Sequence, residues 1–206
     1  MRRSISTYAA LVLLAACGLL LAVQCGAVGG SSAGGSAPAA PRGGAGFNGT
    51  DVMFLQMMLP HQEQGVALVR LARRHPVRPE VRTLAAAIET TEIAEARQMQ
   101  TRLRGWHRPL RADPGAHAVH GGMPQTTDAE LNALAKTPPD RFERAFLNLL
   151  IAHQDDTVQF ARLEIGKGED AWTRQLAQRV EKSRSAEIDQ MLALLGSPPR
   201  NELPQK

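Results

Sequence analysis

Residues 54–99 and 146–191 are two copies of one pattern. Set side by side without a gap, 92 residues apart, they share 15 identities in 46 positions, against about three expected by chance. Phe54 pairs with Phe146, Leu55 with Leu147, His61 with His153, Gln62 with Gln154, Val66 with Val158, Leu84 with Leu176, Glu95 with Glu187 and Met99 with Met191. A fixed register over this length means that each half is the same supersecondary unit, so the fold must be assembled from two of them.

Each unit reads as two helices. In the first, Thr50 or Asp51 is placed to cap a helix whose apolar residues Phe54, Met57, Met58, Leu68 and Leu71 recur at three- and four-residue steps. His75-Pro76 and Pro79 end it, because proline breaks the helical hydrogen-bond ladder. A second helix runs from Glu80 to Arg104. In the other half, Pro139-Asp140 opens a helix to about Ile165, Gly166-Lys167-Gly168 turns the chain, and a fourth helix runs from about Asp170 to Leu195. Short turns make the two helices of each half antiparallel neighbours. The expected fold is an all-α four-helix bundle built from two repeated antiparallel helical hairpins.

The domain plan follows. Residues 47–196 form the bundle, with repeats 47–104 and 140–196 joined by a link over 105–139 that crosses between the hairpins. Residues 28–46 are almost all Gly, Ser, Ala and Pro, a composition that buries no apolar surface and reads as a flexible tether. Residues 197–206 hold three prolines and read as a disordered tail.

Residues 1–27 read as an export signal. Met1-Arg2-Arg3 precedes an uncharged, mostly apolar run over residues 8–23, short for a membrane span and suited to a signal-peptide core. Leu14-Ala15-Ala16-Cys17 resembles a lipoprotein cleavage box, and Cys25 lies at a second boundary, so Cys17 and Cys25 are the lipidation candidates. Ordinary cleavage near Ala27 would remove both, and an uncleaved anchor is the third option. All three place the folded part outside the cytoplasm, either lipid-anchored to the cell membrane or secreted, with the bacterial membrane as partner through the N-terminal segment.

Composition narrows the chemistry. The net charge of +4 arises largely in the leader: residues 47–206 carry 21 basic against 20 acidic side chains. A near-neutral body, in a chain with only eight aromatics, offers no footprint for nucleic acid. No Ser-His-Asp order, phosphate-cradling glycine loop or paired cysteine is present, so no enzyme and no organic cofactor is expected. Nor is any Glu followed three places later by His, which argues against a carboxylate-bridged di-iron bundle.

What remains is imidazole and thioether. If the first hairpin folds about residue 77, His61 lies within a turn of Glu92 and Glu95, and Met99 within a turn of Met58; Met57 and Met58 share a helix face with His61. The second hairpin puts His153 near Glu187, with Met191 about a turn beyond. Such donors suit soft or borderline ions, copper above all. Packing is the rival reading of every one of these positions, since methionine at helical spacing fills cores and a buried histidine needs only one hydrogen bond. In the link, His117, His120 and Met123 form a second donor cluster, whose rival reading is a solvated loop.

The duplicated set Phe54-x-x-Met57-Met58-x-x-His61-Gln62 with Glu95-x-x-x-Met99, and Phe146-x-x-Leu149-Leu150-x-x-His153-Gln154 with Glu187-Ile188-x-x-Met191, resembles the bacterial domain of unknown function 305 family, and Gly122-Met123 also fits. The resemblance implies a ferritin-like four-helix bundle, generally exported and often lipid-anchored, with copper binding or resistance proposed for some members. Members typically carry His-His where this chain has His61-Gln62 and His153-Gln154, and methionine where it has Leu68 and Phe160. The reading of function is therefore an exported, tethered bundle that binds a copper-like ion for storage, buffering or resistance. The alternative is a cell-envelope interaction or scaffold module without metal.

Overall fold

A computed structural model describes residues 46–113 and 125–197. It contains α1 (Gly49–Leu71), α2 (Pro79–Gly105), α3 (Asp128–Ala135), α4 (Pro139–Lys167) and α5 (Ala171–Gly196), and no strand among the described residues. The four long helices are those expected from the repeat. None of the described helices is long and apolar enough to cross a membrane.

Local chemistry accounts for the boundaries. Asn48, rather than Thr50 or Asp51, is the N-cap of α1: its side chain accepts from the amides of Thr50 and Asp51, while Asp51 accepts from the Asn48 amide at 2.6 Å. Asp51 is thus the reciprocal partner of a capping box. Prolines open α2 and α4, where the missing N–H would have had no partner. Asp170 caps α5 by accepting from the Thr173 amide at 2.8 Å. At the end of α2 the chain turns through His107 at φ 53°, with the Arg108 amide donating to the Leu103 carbonyl at 2.9 Å.

The link contains one helix that the sequence reading did not anticipate. Thr127 and Glu130 form a capping box for α3, whose Leu134 is buried against Phe142, Phe146 and their neighbours. The Thr-x-x-Glu signature was there to be read; with a single buried side chain over eight residues, the amphipathic pattern was too short to register.

The core has three layers, and each of the four long helices crosses all of them. At one end Phe54, Leu55, Met57 and Met58 of α1 pack with Met99 and Leu103 of α2, Ala161 of α4, and Leu176 and Val180 of α5. At the other, Leu68 and Val69 pack with Leu84 and Ile88, Phe142, Phe146 and Leu150, and Met191. Between them, on every helix, the buried residues turn polar: His61 and Gln62, Glu92 and Glu95, His153 and Gln154, Arg184. The order of layers along each helix makes α1 and α5 parallel to one another and antiparallel to α2 and α4. The link from α2 to α4 must therefore travel the length of the bundle, which is why it is long.

Candidate functional site

The polar layer gathers the repeated residues. His61 and His153 are 1% and 2% exposed, and their rings stack face to face with centroids 3.9 Å apart and planes 3° from parallel. Nε2 of His61 lies 3.1 Å from the carbonyl oxygen of His153. A carbonyl only accepts, so this nitrogen carries the proton and Nδ1 of His61 is a bare acceptor, buried and without a partner among the described residues. Nδ1 of His153 is 3.0 Å from the hydroxyl of Thr126, the residue that leads into α3. Burial, opposed in part by the His153 carbonyl, lowers the His61 pKa to about 4; burial, then His61 and Arg184, lowers that of His153 to about 2. Both rings are neutral at physiological pH.

Around them sits a charge network. Gln62 donates to Glu95 at 2.8 Å, and Gln154, its repeat mate, donates to Glu187 at 3.1 Å and Glu92 at 3.3 Å. Arg184, fully buried, reaches Glu95 with Nη2 at 2.6 Å and Glu187 with Nη1 at 3.1 Å, and lies 3.8 Å from Glu92. One guanidinium thus faces three carboxylates. Burial raises the Glu92 pKa to about 8, with Arg184 pulling the other way. Burial opposes the charge on Arg184, but the three carboxylates outweigh it and raise its pKa.

Gly65 makes the layer close. A Cβ there would lie 2.4 Å from Oε2 of Glu92 and 2.7 Å from Nε2 of His153, so only glycine lets both groups pack over this turn of α1.

The candidate residues divide accordingly. His61, His153, Glu95 and Glu187 come together. Met57, Met58 and Met99 lie in the apolar cluster on one side of the polar layer and Met191 in the cluster on the other, so the four thioethers do not converge. His117, His120, Met123, Cys17 and Cys25 lie outside the described residues. Sequence reasoning missed Arg184, the mutual stacking of the histidines and the part played by the two glutamines. The repeat held one signal for Arg184: it occupies the position paired with Glu92, a reversal of charge at a core-facing site.

The layer is poorly arranged for a shared ion. Imidazole lone pairs lie in the ring plane, so two parallel stacked rings do not aim at one point, and the guanidinium already supplies the cation among the carboxylates. Among the described residues no group of three or more His, Cys, Asp or Glu is disposed to hold a metal.

A family model, Domain of unknown function (DUF305), matches residues 51–195, nearly the whole bundle. The chain belongs to the DUF305 family. Solved DUF305 structures share its helical fold. A DUF305 fragment from Deinococcus radiodurans is 27% identical, with a TM-score of 0.65 over 72% of this chain and 97% of that one. A DUF305 protein from Streptomyces coelicolor, described as secreted, is 28% identical, with a TM-score of 0.67 over 71% and 92%. CopM in its Cu(II)-bound form is 30% identical, with a TM-score of 0.61 over 71% and 95%, and CopM is also seen bound to Cu(I) and to Ag. No curated protein matches this DUF305 chain significantly.

Proposed function

We propose that this DUF305 protein works outside the cytoplasm, tethered to the membrane, and binds copper-like soft ions as cargo through the link between its hairpins. In this reading the buried histidine pair is a structural seat for the link and the ligands are His117, His120 and Met123. The observation that carries it is where the described ends of the link attach. Arg111 pairs with Glu63, Gln125 meets Gln64 at 3.4 Å, and Thr126 bonds His153. The described residues on either side of 114–124 therefore meet the bundle at adjacent residues of α1, next to His61-Gln62 in the chain. Imidazole and thioether are the donors copper and silver favour, and CopM, 30% identical in its Cu(II)-bound structure and 26% in its silver-bound one, is a relative. Export and tethering rest on the leader and the low-complexity segment before Phe47, with the Streptomyces coelicolor relative in support.

The test is a Cu(I) titration of residues 42–206 against a competing chelator. Tight binding lost in His117→Ala/His120→Ala/Met123→Ala and kept in His61→Gln/His153→Gln supports the reading. The reverse pattern, in a variant that stays folded, moves the site into the core. No binding by the parent overturns the copper assignment and leaves the envelope interaction module.

A further inference from the structure

The end of the bundle that the tether joins has an aromatic and basic face that the metal reading does not use. Phe47 stacks on Trp106, centroids 4.1 Å apart and planes 13° from parallel. The Arg102 guanidinium lies over both Trp106 and Trp172, 5.0 and 5.4 Å from their ring centroids, and Arg108 lies 5.8 Å over Phe47. Arg97, Thr101, Trp106 and Trp172 line an open groove of about 610 Å³. The chain has two tryptophans and both are here, half-buried.

The charge is one-sided. Residues 96–112 contain five arginines and no acid. Arg102 is engaged by Asp170 and Arg111 by Glu63, while Arg97, Arg104 and Arg108 are exposed and form no ion pair among the described residues. At the opposite end acids are interspersed with the arginines: Arg70 and Arg73 pair with Glu89 and Arg78 with Glu143, and Glu80 and Asp140 stand beside the remaining arginines in the sequence.

We propose that this face docks on an anionic membrane surface, with Arg97, Arg104 and Arg108 on lipid phosphates and the tryptophans at the headgroup level. Guanidinium groups match phosphate oxygens in geometry and charge, and tryptophan, apolar with one polar edge, partitions to the interface. The position of the face gives it a partner: residues 28–46, nineteen residues of almost only Gly, Ser, Ala and Pro, lead directly to Phe47. A chain anchored through that segment carries this end, and not the other, within reach of the bilayer. Association here would hold the bundle upright and leave the polar layer and the attachment points of the link clear of the lipid.

Residues 42–206 contain both apolar clusters and all the described contacts, so they serve for the test without the anchor. The protein is mixed with phosphatidylcholine vesicles with and without phosphatidylglycerol, and tryptophan emission is followed, a signal that arises only at this face. The expected result is a blue shift, and quenching by brominated acyl chains, with the anionic vesicles alone, both lost at high salt. Arg97→Gln/Arg104→Gln/Arg108→Gln should weaken partitioning about a hundredfold while leaving the Cu(I) titration unchanged, which separates this inference from the metal reading. Absence of partitioning, partitioning without a change in tryptophan emission, or equal partitioning by the triple variant would each overturn it.

Discussion

Arg184 stands in the repeat where Glu92 stands, and its Nη2 reaches Glu95 at 2.6 Å while lying 3.8 Å from Glu92 itself. The duplicated hairpin would otherwise bring four acidic positions to the centre of the bundle. One exchange of sign turns that repulsive arrangement into a closed network of three carboxylates and one cation. Arg184→Met removes the cation and leaves buried carboxylates facing one another. It should destabilise the bundle by about 3–5 kcal/mol at pH 7, read from urea unfolding, and by less at pH 5, where the carboxylates more readily take up protons. Adding Glu95→Gln should recover part of the loss. An Arg184→Met protein as stable as the parent would mean that the network contributes nothing.

The two classes of helical glycine should respond oppositely to alanine. Gly65→Ala drives a methyl into Glu92 and His153 and should cost about 1–3 kcal/mol. Gly166, near the end of α4, has nothing within 4 Å of its would-be Cβ, so Gly166→Ala should be neutral or stabilise by up to about 1 kcal/mol. Melting temperatures of the two variants, measured together, decide the point.

Stability should peak on the mildly acidic side. The folded-state pKa values of His61 and His153 are lowered from 6.5 to about 4 and about 2, so the stability of their neutral forms is present above 6.5 and lost as the pH falls from there. Glu92, and Glu164 beside Asp51 and Asp170, are raised from 4.5 to about 8, chiefly by burial; their contribution is present below 4.5 and lost as the pH rises through 8. The two trends oppose one another between 4.5 and 6.5, where the melting temperature should be highest. Glu164→Gln should flatten the alkaline limb. A melting temperature constant from pH 4 to pH 9 would contradict this account.

His107 holds a left-handed conformation at the close of α2, φ 53°, where glycine is the usual residue. His107→Gly should therefore raise stability by about 0.5–1 kcal/mol, visible as a higher urea midpoint with an unchanged slope.

The sequence by itself determined the architecture. A 92-residue repeat of helical pattern, with prolines and glycines between its parts, leaves two antiparallel hairpins and little else, and α1, α2, α4 and α5 lie where that argument puts them. The 3.6-residue periodicity of the sequence also puts His61 and His153 on the inward stripes of α1 and α4, where both are buried. What periodicity does not contain is the rotation and axial offset of one hairpin against the other. The link that joins them is too long to fix either. That relative placement, set by packing of α1 against α4 and by the close approach at Gly65, decided that the histidines stack on one another, that the glutamines hold the carboxylates and that the methionines separate into two clusters. It also buried Arg184 among three acidic side chains of α2 and α5.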